Sequence, residues 1–296
     1  MELVVLGAGS LGSLLCGLLA REHEVTLVGR DPHVTTVRES GLTIEGACDT
    51  VVSLDATTDG TDLQAEAALV TVKAFDTEQA AAQLATGSFE LVCSLQNGIG
   101  NEETLAAHVD ADVVAGTTTY GARLVEPGRV ECTGIGEVVL GAPDGGHSAS
   151  ATRLGDAFRS MDVETTVATD MPRRLWKKLA VNAGINATTA LARVPNGALV
   201  DGPAREPARA AARETARVAR ADGIELEERS AVEAVEAVAS TTAANTSSML
   251  QDVEAGRRTE VDAINGAVAD RAADYGVDAP VNTTLAALLK AWQQKR

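Results

Sequence analysis

The sequence is poor in aromatic residues and has no long apolar run. Aromatic side chains make up 2% of the 296 residues, although 45% are hydrophobic. The core must therefore be built from alanine, valine and leucine, which suits helices packed on a parallel sheet better than a purely β or disulfide-stapled scaffold. The longest apolar run, Leu14 to Ala20, is too short to span a bilayer, and a glycine motif at residue 7 leaves no room for a signal peptide. We expect a soluble cytoplasmic protein with no membrane partner.

Cysteine and histidine are both scarce and scattered. There are four residues of each type, and no Cys-x-x-Cys pair is present. We interpret the cysteines as small buried apolar residues of a reducing compartment rather than as metal ligands, and we expect no metal site. The cysteines are Cys16, Cys48, Cys93 and Cys132.

Positive charge is also scarce. The formal net charge is −17, and an acidic surface repels phosphate, which argues against a nucleic-acid partner. The acid excess is spread along the chain rather than gathered into a tail. Such a lysine-poor, acidic surface is typical of proteins from salt-rich cytoplasm, and we hold a halophilic-type surface as a hypothesis. The lysines are Lys73, Lys177, Lys178, Lys290 and Lys295.

The first half of the chain alternates β-branched runs with alanine-rich helical stretches. This alternation predicts an α/β fold with an N-terminal Rossmann-type doubly wound parallel sheet. From Met171 onward the composition is helical, which predicts an all-helical C-terminal domain. We place the boundary so that residues 1–168 form a dinucleotide-binding domain and residues 169–296 form a helical substrate-binding and catalytic domain. The predicted strands are Leu3–Leu6, Glu24–Val28, Ala68–Val72, Leu91–Leu95 and Val113–Thr117, with further β-rich stretches at Ile135–Leu140 and Glu164–Ala168.

A glycine motif follows the first predicted strand and opens a helix. In this context Gly7 permits a tight turn, Gly9 lets the backbone approach a pyrophosphate, and Gly12 allows the helix to pack closely on the strand. The helix N-terminus favours the negative charge. We therefore predict a dinucleotide site, with a nucleotide-free doubly wound fold as the less favoured alternative. The turn consists of Gly7, Ala8, Gly9, Ser10, Leu11 and Gly12.

The second predicted strand ends at Val28-Gly29-Arg30, where NAD enzymes usually carry an acidic residue. Arginine suits a 2′-phosphate, so Arg30 favours NADP. Asp31 follows directly and could weaken this preference, so NAD stays open, as does an interpretation of Arg30 as a solvated loop cation.

Polar residues also follow the other predicted strands. Lys73 comes after Ala68–Val72, and Asn97 comes shortly after Leu91–Leu95. Thr117, Thr118 and Thr119 close the next strand. Ligands of open α/β sheets bind outside the carboxyl ends of the strands, so Lys73 is a candidate for the nicotinamide-side ribose and Asn97 for cofactor or substrate. Asn97-Gly98 is also an ordinary turn signal.

The second half carries two polar groups of its own. Lys178, Asn182 and Asn186 are spaced i, i+4, i+8, which predicts one helical face directed into a pocket, or else an exposed stripe. A second cluster spans Ser247–Asp252 and Thr259–Asp262. On one straight helix Ser248 and Glu260 would lie roughly 18 Å apart, so we expect a break near Gly256. Ser248 with Gln251 is similar to a capping box, and Thr259 is a candidate cap for the next helix.

At this point the chain resembles the ketopantoate reductase (2-dehydropantoate 2-reductase) family over essentially its whole length. The resemblance is carried by the N-terminal glycine turn and by a set of short motifs. These are Val72-Lys73-Ala74, Asn97-Gly98-Ile99-Gly100, Gly116–Thr119, Trp176–Asn182, Ile185-Asn186, Pro195-Asn196-Gly197, Ser247–Asp252 and Thr259–Asp262.

The resemblance implies roles for individual residues. Lys178 would be the general acid, and Glu260 would anchor the substrate's hydroxyl end and pair with the lysine. Asn97, Asn182, Asn186 and Ser248 would bind the substrate, a small 2-keto acid, with Lys73 and Asn97 near the nicotinamide. The implied reaction is the NADPH-dependent reduction of ketopantoate in pantothenate and coenzyme A biosynthesis.

Two other functions stay open at this point. One is a related 2-keto acid reductase of the same superfamily. The other is a non-catalytic redox sensor that holds NADP without turnover. NAD stays open as the cofactor and a homodimer as the assembly.

Overall fold

The computed structural model describes residues 1–295, which divide into two compact units. The first unit comprises residues 1–96 and 100–171. The second comprises residues 97–99 and 172–295. The short segment that carries Asn97 therefore packs with the second unit, although its chain neighbours on both sides belong to the first.

An eight-stranded, mostly parallel sheet forms the centre of the first unit. Its order is β12-β11-β8-β7-β6-β1-β2-β5, and only the β8–β11 pair is antiparallel. A second sheet has the order β4-β3-β10-β9. The strands are β1 (Glu2–Leu6), β2 (Glu24–Val28), β3 (Leu42–Gly46), β4 (Thr50–Val52), β5 (Asp55–Thr57), β6 (Gln64–Val70), β7 (Ser88–Ser94), β8 (Asp112–Thr118), β9 (Gly121–Glu126), β10 (Arg129–Gly134), β11 (Val138–Gly141) and β12 (Thr165–Val167).

Helices alternate with the strands of the large sheet and then make up all of the C-terminal region, so the predicted fold class is confirmed. In the first unit they are α1 (Ser10–Leu19), α2 (His33–Ser40), α3 (Thr77–Leu84), α4 (Asn101–Ala106) and α5 (Ala149–Arg159). The remaining helices are α6 (Met171–Ala192), α7 (Ala198–Asp201), α8 (Arg205–Ala221), α9 (Glu228–Thr241), α10 (Ser248–Glu254), α11 (Ala267–Tyr275) and α12 (Pro280–Gln293), with a π-helical turn at Asp262–Gly266.

The predicted strands are present, but two of them are displaced along the chain. β2 has the predicted ends, whereas β6 and β7 begin and end earlier than the apolar runs indicate. Their first residues are polar because this end of the sheet reaches solvent: the carboxylate of Glu66 in β6 accepts a hydrogen bond from the Glu2 amide at 2.8 Å and pairs with Arg153. Ile135, placed in a predicted β stretch, lies outside β11 and is 70% exposed.

α1 is buried on nearly every side because it packs against both sheets. Gly17 brings it close to the second sheet, since a Cβ there would lie 2.6 Å from Ile44 Cδ1. Leu14, Leu15 and Leu19 are fully buried in the same core. A helix that is apolar all round must be enclosed in this way, and the enclosure fixes the helix that follows the glycine turn.

The prediction that all four cysteines are unpaired is wrong. Cys48, in the β3–β4 connection, forms a disulfide with Cys132 of β10, 84 residues away in the sequence. Cys16 and Cys93 are free and fully buried, and burial raises the pKa of both thiols. The pairing depends on the parallel β3–β10 contact in the second sheet, which the sequence spacing does not reveal.

The core of the second unit consists mainly of alanine, valine and leucine, as the composition predicts. α8 alone buries Ala208, Ala211, Ala212, Ala216 and Ala219. Such small side chains allow the helices to approach closely. None of the helices within residues 1–295 is long and apolar enough to cross a membrane.

Candidate active site

The glycine turn lies where the strand order of the large sheet changes direction. β1 is flanked by β2 on one side and β6 on the other, and ligands of such sheets bind at this switch point. Gly7 has φ 121°, and its amide donates to the Val28 carbonyl at 2.9 Å. A Cβ on Gly12 would overlap the carbonyl oxygen of Gly7, whereas a Cβ on Gly9 would meet no atom within 4 Å. Gly12 is therefore required by packing, and Gly9 leaves open space beside the backbone.

Thr71, which directly follows β6, fixes the turn from the neighbouring strand. Its amide donates to the Leu6 carbonyl at 2.9 Å, and its Oγ1 donates to the Gly7 carbonyl at 2.9 Å. Thr71 was not predicted as a site residue, because it lies inside the predicted strand Ala68–Val72. The one feature of the sequence that could have indicated a role for Thr71 is its position two residues before Lys73.

A buried histidine holds α1 and α2 together behind the turn. Nδ1 of His33 accepts from the Gly128 amide at 3.0 Å, so the ring proton lies on Nε2, 3.0 Å from Ser13 Oγ. Burial lowers the pKa of His33, which favours this neutral form. Ser10 in the turn is fixed in a similar way, since its Oγ accepts from the Leu124 amide at 3.0 Å.

Arg30 and Asp31 have different surroundings at the end of β2. The Arg30 side chain is 87% exposed and lies 3.5 Å from a carboxylate oxygen of Asp76. Oδ1 of Asp31 accepts from the Thr35 amide at 3.1 Å and from its hydroxyl at 2.7 Å, and these bonds lower the pKa of the Asp31 carboxyl. Asp31 thus stabilises the first turn of α2.

Lys73 is half-buried and begins the loop after β6. Buried Gln96 orders this loop, since its Nε2 donates to the Val72 carbonyl at 3.1 Å and to Thr77 Oγ1 at 2.7 Å. Thr77 Oγ1 in turn donates to Asn101 Oδ1 at 2.9 Å. This polar network was not predicted from the sequence, although Gln96 directly precedes the Asn97-Gly98-Ile99-Gly100 motif.

The threonines at the end of β8 bind nearby backbone. Thr118 Oγ1 accepts from the Tyr120 amide at 3.2 Å, and Thr119 Oγ1 accepts from the Glu137 amide at 3.0 Å. These bonds stabilise the start of β9 and the approach to β11.

In the second unit, the polar face of α6 becomes more buried along the helix. Lys178 and Asn182 are half-buried, and Asn186 is 6% exposed. The neighbouring Lys177 is exposed. The exposed-stripe alternative therefore does not describe this face, because a stripe directed at bulk water would not lose its exposure.

Asn97 and Glu260 are in direct contact within the second unit. Nδ2 of Asn97 donates to Oε2 of Glu260 at 3.2 Å, and Glu260 is 5% exposed. Gly98, with φ 88°, packs so closely on Ala263 that a Cβ would lie 2.6 Å from its carbonyl oxygen. A buried carboxylate is costly unless it is well hydrogen-bonded or paired, so this contact is a strong candidate for a functional site.

The helix caps predicted within Ser247–Asp252 and Thr259–Asp262 are partly wrong. α10 is capped by Ser247, whose Oγ accepts from the Leu250 amide at 3.1 Å, whereas Ser248 is the first helical residue and is exposed. Ser247 also contacts Thr189 Oγ1 of α6 at 2.8 Å. The predicted break is present, since Gly256 has φ 67°.

Thr259 is fixed by α12 instead of acting as a simple cap. Its amide and its Oγ1 both donate to Gln293 Oε1, at 2.6 and 2.9 Å. Its hydroxyl reaches the Val261 amide only at 3.4 Å, and the π-helical turn begins at Asp262. Among residues 1–295 there is no group of three or more His, Cys, Asp or Glu side chains that could hold a metal ion.

Comparison with known proteins assigns the whole chain to one family. The model of the ketopantoate reductase PanE/ApbA family matches residues 3–145, and the model of its C-terminal part matches residues 170–293. The 2-dehydropantoate 2-reductase of Halobacterium salinarum is 44% identical over 302 residues, which span 99% of each chain.

Two solved structures share the fold over the whole chain. A PanE/ApbA family ketopantoate reductase from Ralstonia eutropha has a TM-score of 0.92 and 32% identity, covering 100% of this chain and 99% of that one. The ternary structure of D-mandelate dehydrogenase with NADH and anilino(oxo)acetate has a TM-score of 0.92 and 26% identity, with the same coverage. The resemblance drawn from the motifs is thus confirmed, and the chain belongs to the ketopantoate reductase PanE/ApbA family of nicotinamide-dependent oxidoreductases.

Proposed function

We propose that this chain reduces 2-dehydropantoate to pantoate with NADPH, a step of pantothenate and coenzyme A biosynthesis. The observation that carries the proposal is the buried contact between Asn97 and Glu260 in the unit that also presents the Lys178, Asn182 and Asn186 face. The relative from Halobacterium salinarum, 44% identical over nearly the whole chain, carries the name of this activity.

The glycine turn fits a dinucleotide. The space beside Gly9 admits a pyrophosphate, and Gly9 caps α1 without a side-chain hydrogen bond, so the first amides of the helix are available to an anion. A bound nicotinamide would supply the hydride. Lys73, on the loop that Gln96 orders, would contact the nicotinamide-side ribose, and Asn97 would also lie near the nicotinamide.

Arg30 supports NADP as the cofactor. It lies two residues after the end of β2, where the adenosine ribose lies in this fold, and its exposed ion pair with Asp76 costs little to break. Asp31 acts against this preference, because its carboxylate stays negatively charged while Thr35 donates to it. NADH remains the alternative cofactor, since the D-mandelate dehydrogenase structure contains it.

The second unit would supply the substrate site and the proton. Lys178 would donate a proton to the developing alkoxide and, as a cation, stabilise the negative charge that forms there. Glu260 would accept the hydrogen bond of the substrate's hydroxyl. Asn182 and Asn186 would bind the small anionic keto acid, as would Asn97 and Ser248.

One other substrate class has a specific observation in its favour. D-mandelate dehydrogenase shares the fold with a TM-score of 0.92, so a reductase of a different 2-keto acid is the second candidate. Such an enzyme would not need a buried acceptor for a substrate hydroxyl.

Two glycine substitutions separate the roles assigned to the turn. Gly12→Ala should destabilise the first unit by about 1–3 kcal/mol, because the new Cβ overlaps the Gly7 carbonyl. Gly9→Ala meets no atom of the protein, so it should keep the melting temperature and weaken NADPH binding. Thermal unfolding and NADPH titration of both variants test this. Unchanged NADPH affinity in Gly9→Ala would contradict the pyrophosphate role.

The cofactor preference can be tested at Arg30. Arg30→Ala should raise the dissociation constant of NADPH about ten- to hundred-fold, because charge-assisted hydrogen bonds to the 2′-phosphate are lost, and should leave that of NADH nearly unchanged. Arg229→Ala removes the same charge from an exposed position on α9, in the second unit, and serves as the matched control. Equal weakening of NADPH and NADH in the Arg30 variant would rule out phosphate recognition.

The catalytic role can be tested with two adjacent lysines. Lys178→Ala should lower kcat for 2-dehydropantoate by about a hundred- to ten-thousand-fold, as expected when a general acid is removed, while NADPH still binds. Lys177→Ala, one residue away on the exposed side of α6, should keep nearly wild-type turnover. If both variants lose activity equally, or neither does, Lys178 is not the acid.

A further inference from the structure

A buried chain of amide and carboxylate groups runs behind the Asn97–Glu260 contact. Asn265, in the π-helical turn, and Asn282, in α12, are both fully buried. Nδ2 of Asn265 donates to the Ala183 carbonyl of α6 at 3.0 Å and to Asn282 Oδ1 at 2.9 Å. Ala183 directly follows Asn182 in the sequence. One side chain therefore joins the turn after Glu260 to the helix that carries Lys178 and Asn182.

The buried carboxylate of Glu214 fixes the orientation of both amide groups in this series of hydrogen bonds. It accepts from the Val281 and Asn282 amides at 3.0 and 2.9 Å and from Asn282 Nδ2 at 2.8 Å. Because the Asn282 amide group must point its nitrogen at the carboxylate, its oxygen faces Asn265. Asn265 must then present its nitrogen, since a flipped amide would place an oxygen against two other oxygens.

The orientation of Asn265 leaves its own oxygen without a hydrogen-bond partner among residues 1–295, although the side chain is fully buried. A buried acceptor without a partner is unfavourable, and a leucine of similar size would avoid it. A leucine would also remove both hydrogen bonds that Nδ2 donates, to the Ala183 carbonyl and to Asn282 Oδ1, and would leave the buried Asn282 oxygen without this partner. The amide is therefore explained best by the position that it imposes.

The π-helical turn links the hydrogen bonds of Asn265 directly to Glu260. The Glu260 carbonyl accepts from the Ala263 and Ile264 amides, both at 3.1 Å, and the Gly266 amide donates to Val261 at 2.8 Å. On its other side the turn supports the Asn97 segment, because Gly98 packs on Ala263. A shift of Asn265 would therefore move the backbone that carries Glu260 and that supports the segment of Asn97.

We infer that Asn265 is a positioning residue, which fixes the Glu260–Asn97 pair relative to the Lys178 and Asn182 face of α6. The inference rests on the proposed function for its consequence in catalysis. Asn265 acts through Glu260 and through the α6 backbone, and Asn282 and Glu214 hold its amide in the required orientation.

The test compares Asn265→Leu with Val268→Ala. Val268 is fully buried in the core of the second unit on α11, and its apolar side chain forms none of the hydrogen bonds of the amide chain, so its truncation destabilises this unit without removing any of them. Asn265→Leu should raise KM for 2-dehydropantoate by about ten- to a hundred-fold through misplacement of the anchor, with an unchanged dissociation constant for NADPH. Val268→Ala should keep the wild-type KM, because a smaller folded fraction lowers the apparent kcat alone.

A second measurement does not depend on turnover. Amide hydrogen exchange of residues 260–266 should be at least several-fold faster in Asn265→Leu than in Val268→Ala. Wild-type KM, or exchange no faster than in Val268→Ala, would overturn the inference. If the wild-type protein does not reduce 2-dehydropantoate, the proposed function fails, and the exchange comparison still decides whether Asn265 holds the turn.

Discussion

The second unit depends on one constraint, which is that the carboxylate of Glu260 lies almost out of water. Such a group is retained only where hydrogen bonds and charge offset the loss of hydration, and the Asn97 amide provides one of these bonds. Several features of the second unit surround this contact. The segment 97–99 packs with the second unit, Gly98 lacks a side chain where it meets Ala263, and a π-helical turn places Asn265 against α6.

The first unit meets a different requirement, which is close approach of backbone to a ligand. There the absence of side chains is the functional feature: Gly12 has no room for a Cβ, and Gly9 leaves space open. Around the turn, small polar groups fix the backbone without filling that space. Thr71 binds the Gly7 carbonyl, and His33 ties α1 to α2 in its neutral form. Each unit thus uses buried hydrogen-bonding side chains to fix the residues of its candidate site.

The local patterns of the sequence predicted the elements but not the contacts between distant ones. β2 was predicted with the correct ends, and the i, i+4, i+8 face of α6 lies on one continuous helix, because both depend on periodicity alone. The Cys48–Cys132 disulfide, the Ser247 cap and the Asn265–Asn282–Glu214 chain were missed, because each joins residues whose proximity the fold decides. The bounds predicted for β6 and β7 were too late in the sequence, because the first residues of these strands are polar and interact with groups outside the strand, such as Arg153.

The most direct test of the central claim compares two substrates that differ by one hydroxyl. We predict that kcat/KM with NADPH is at least about a hundred-fold higher for 2-dehydropantoate than for 3,3-dimethyl-2-oxobutanoate, which lacks the hydroxyl, because a site built to bind a hydroxyl rejects the analogue without it. Equal values for the two keto acids would contradict it. They would mean that Glu260 and Asn97 do not recognise the hydroxyl and that the chain is a reductase of another 2-keto acid.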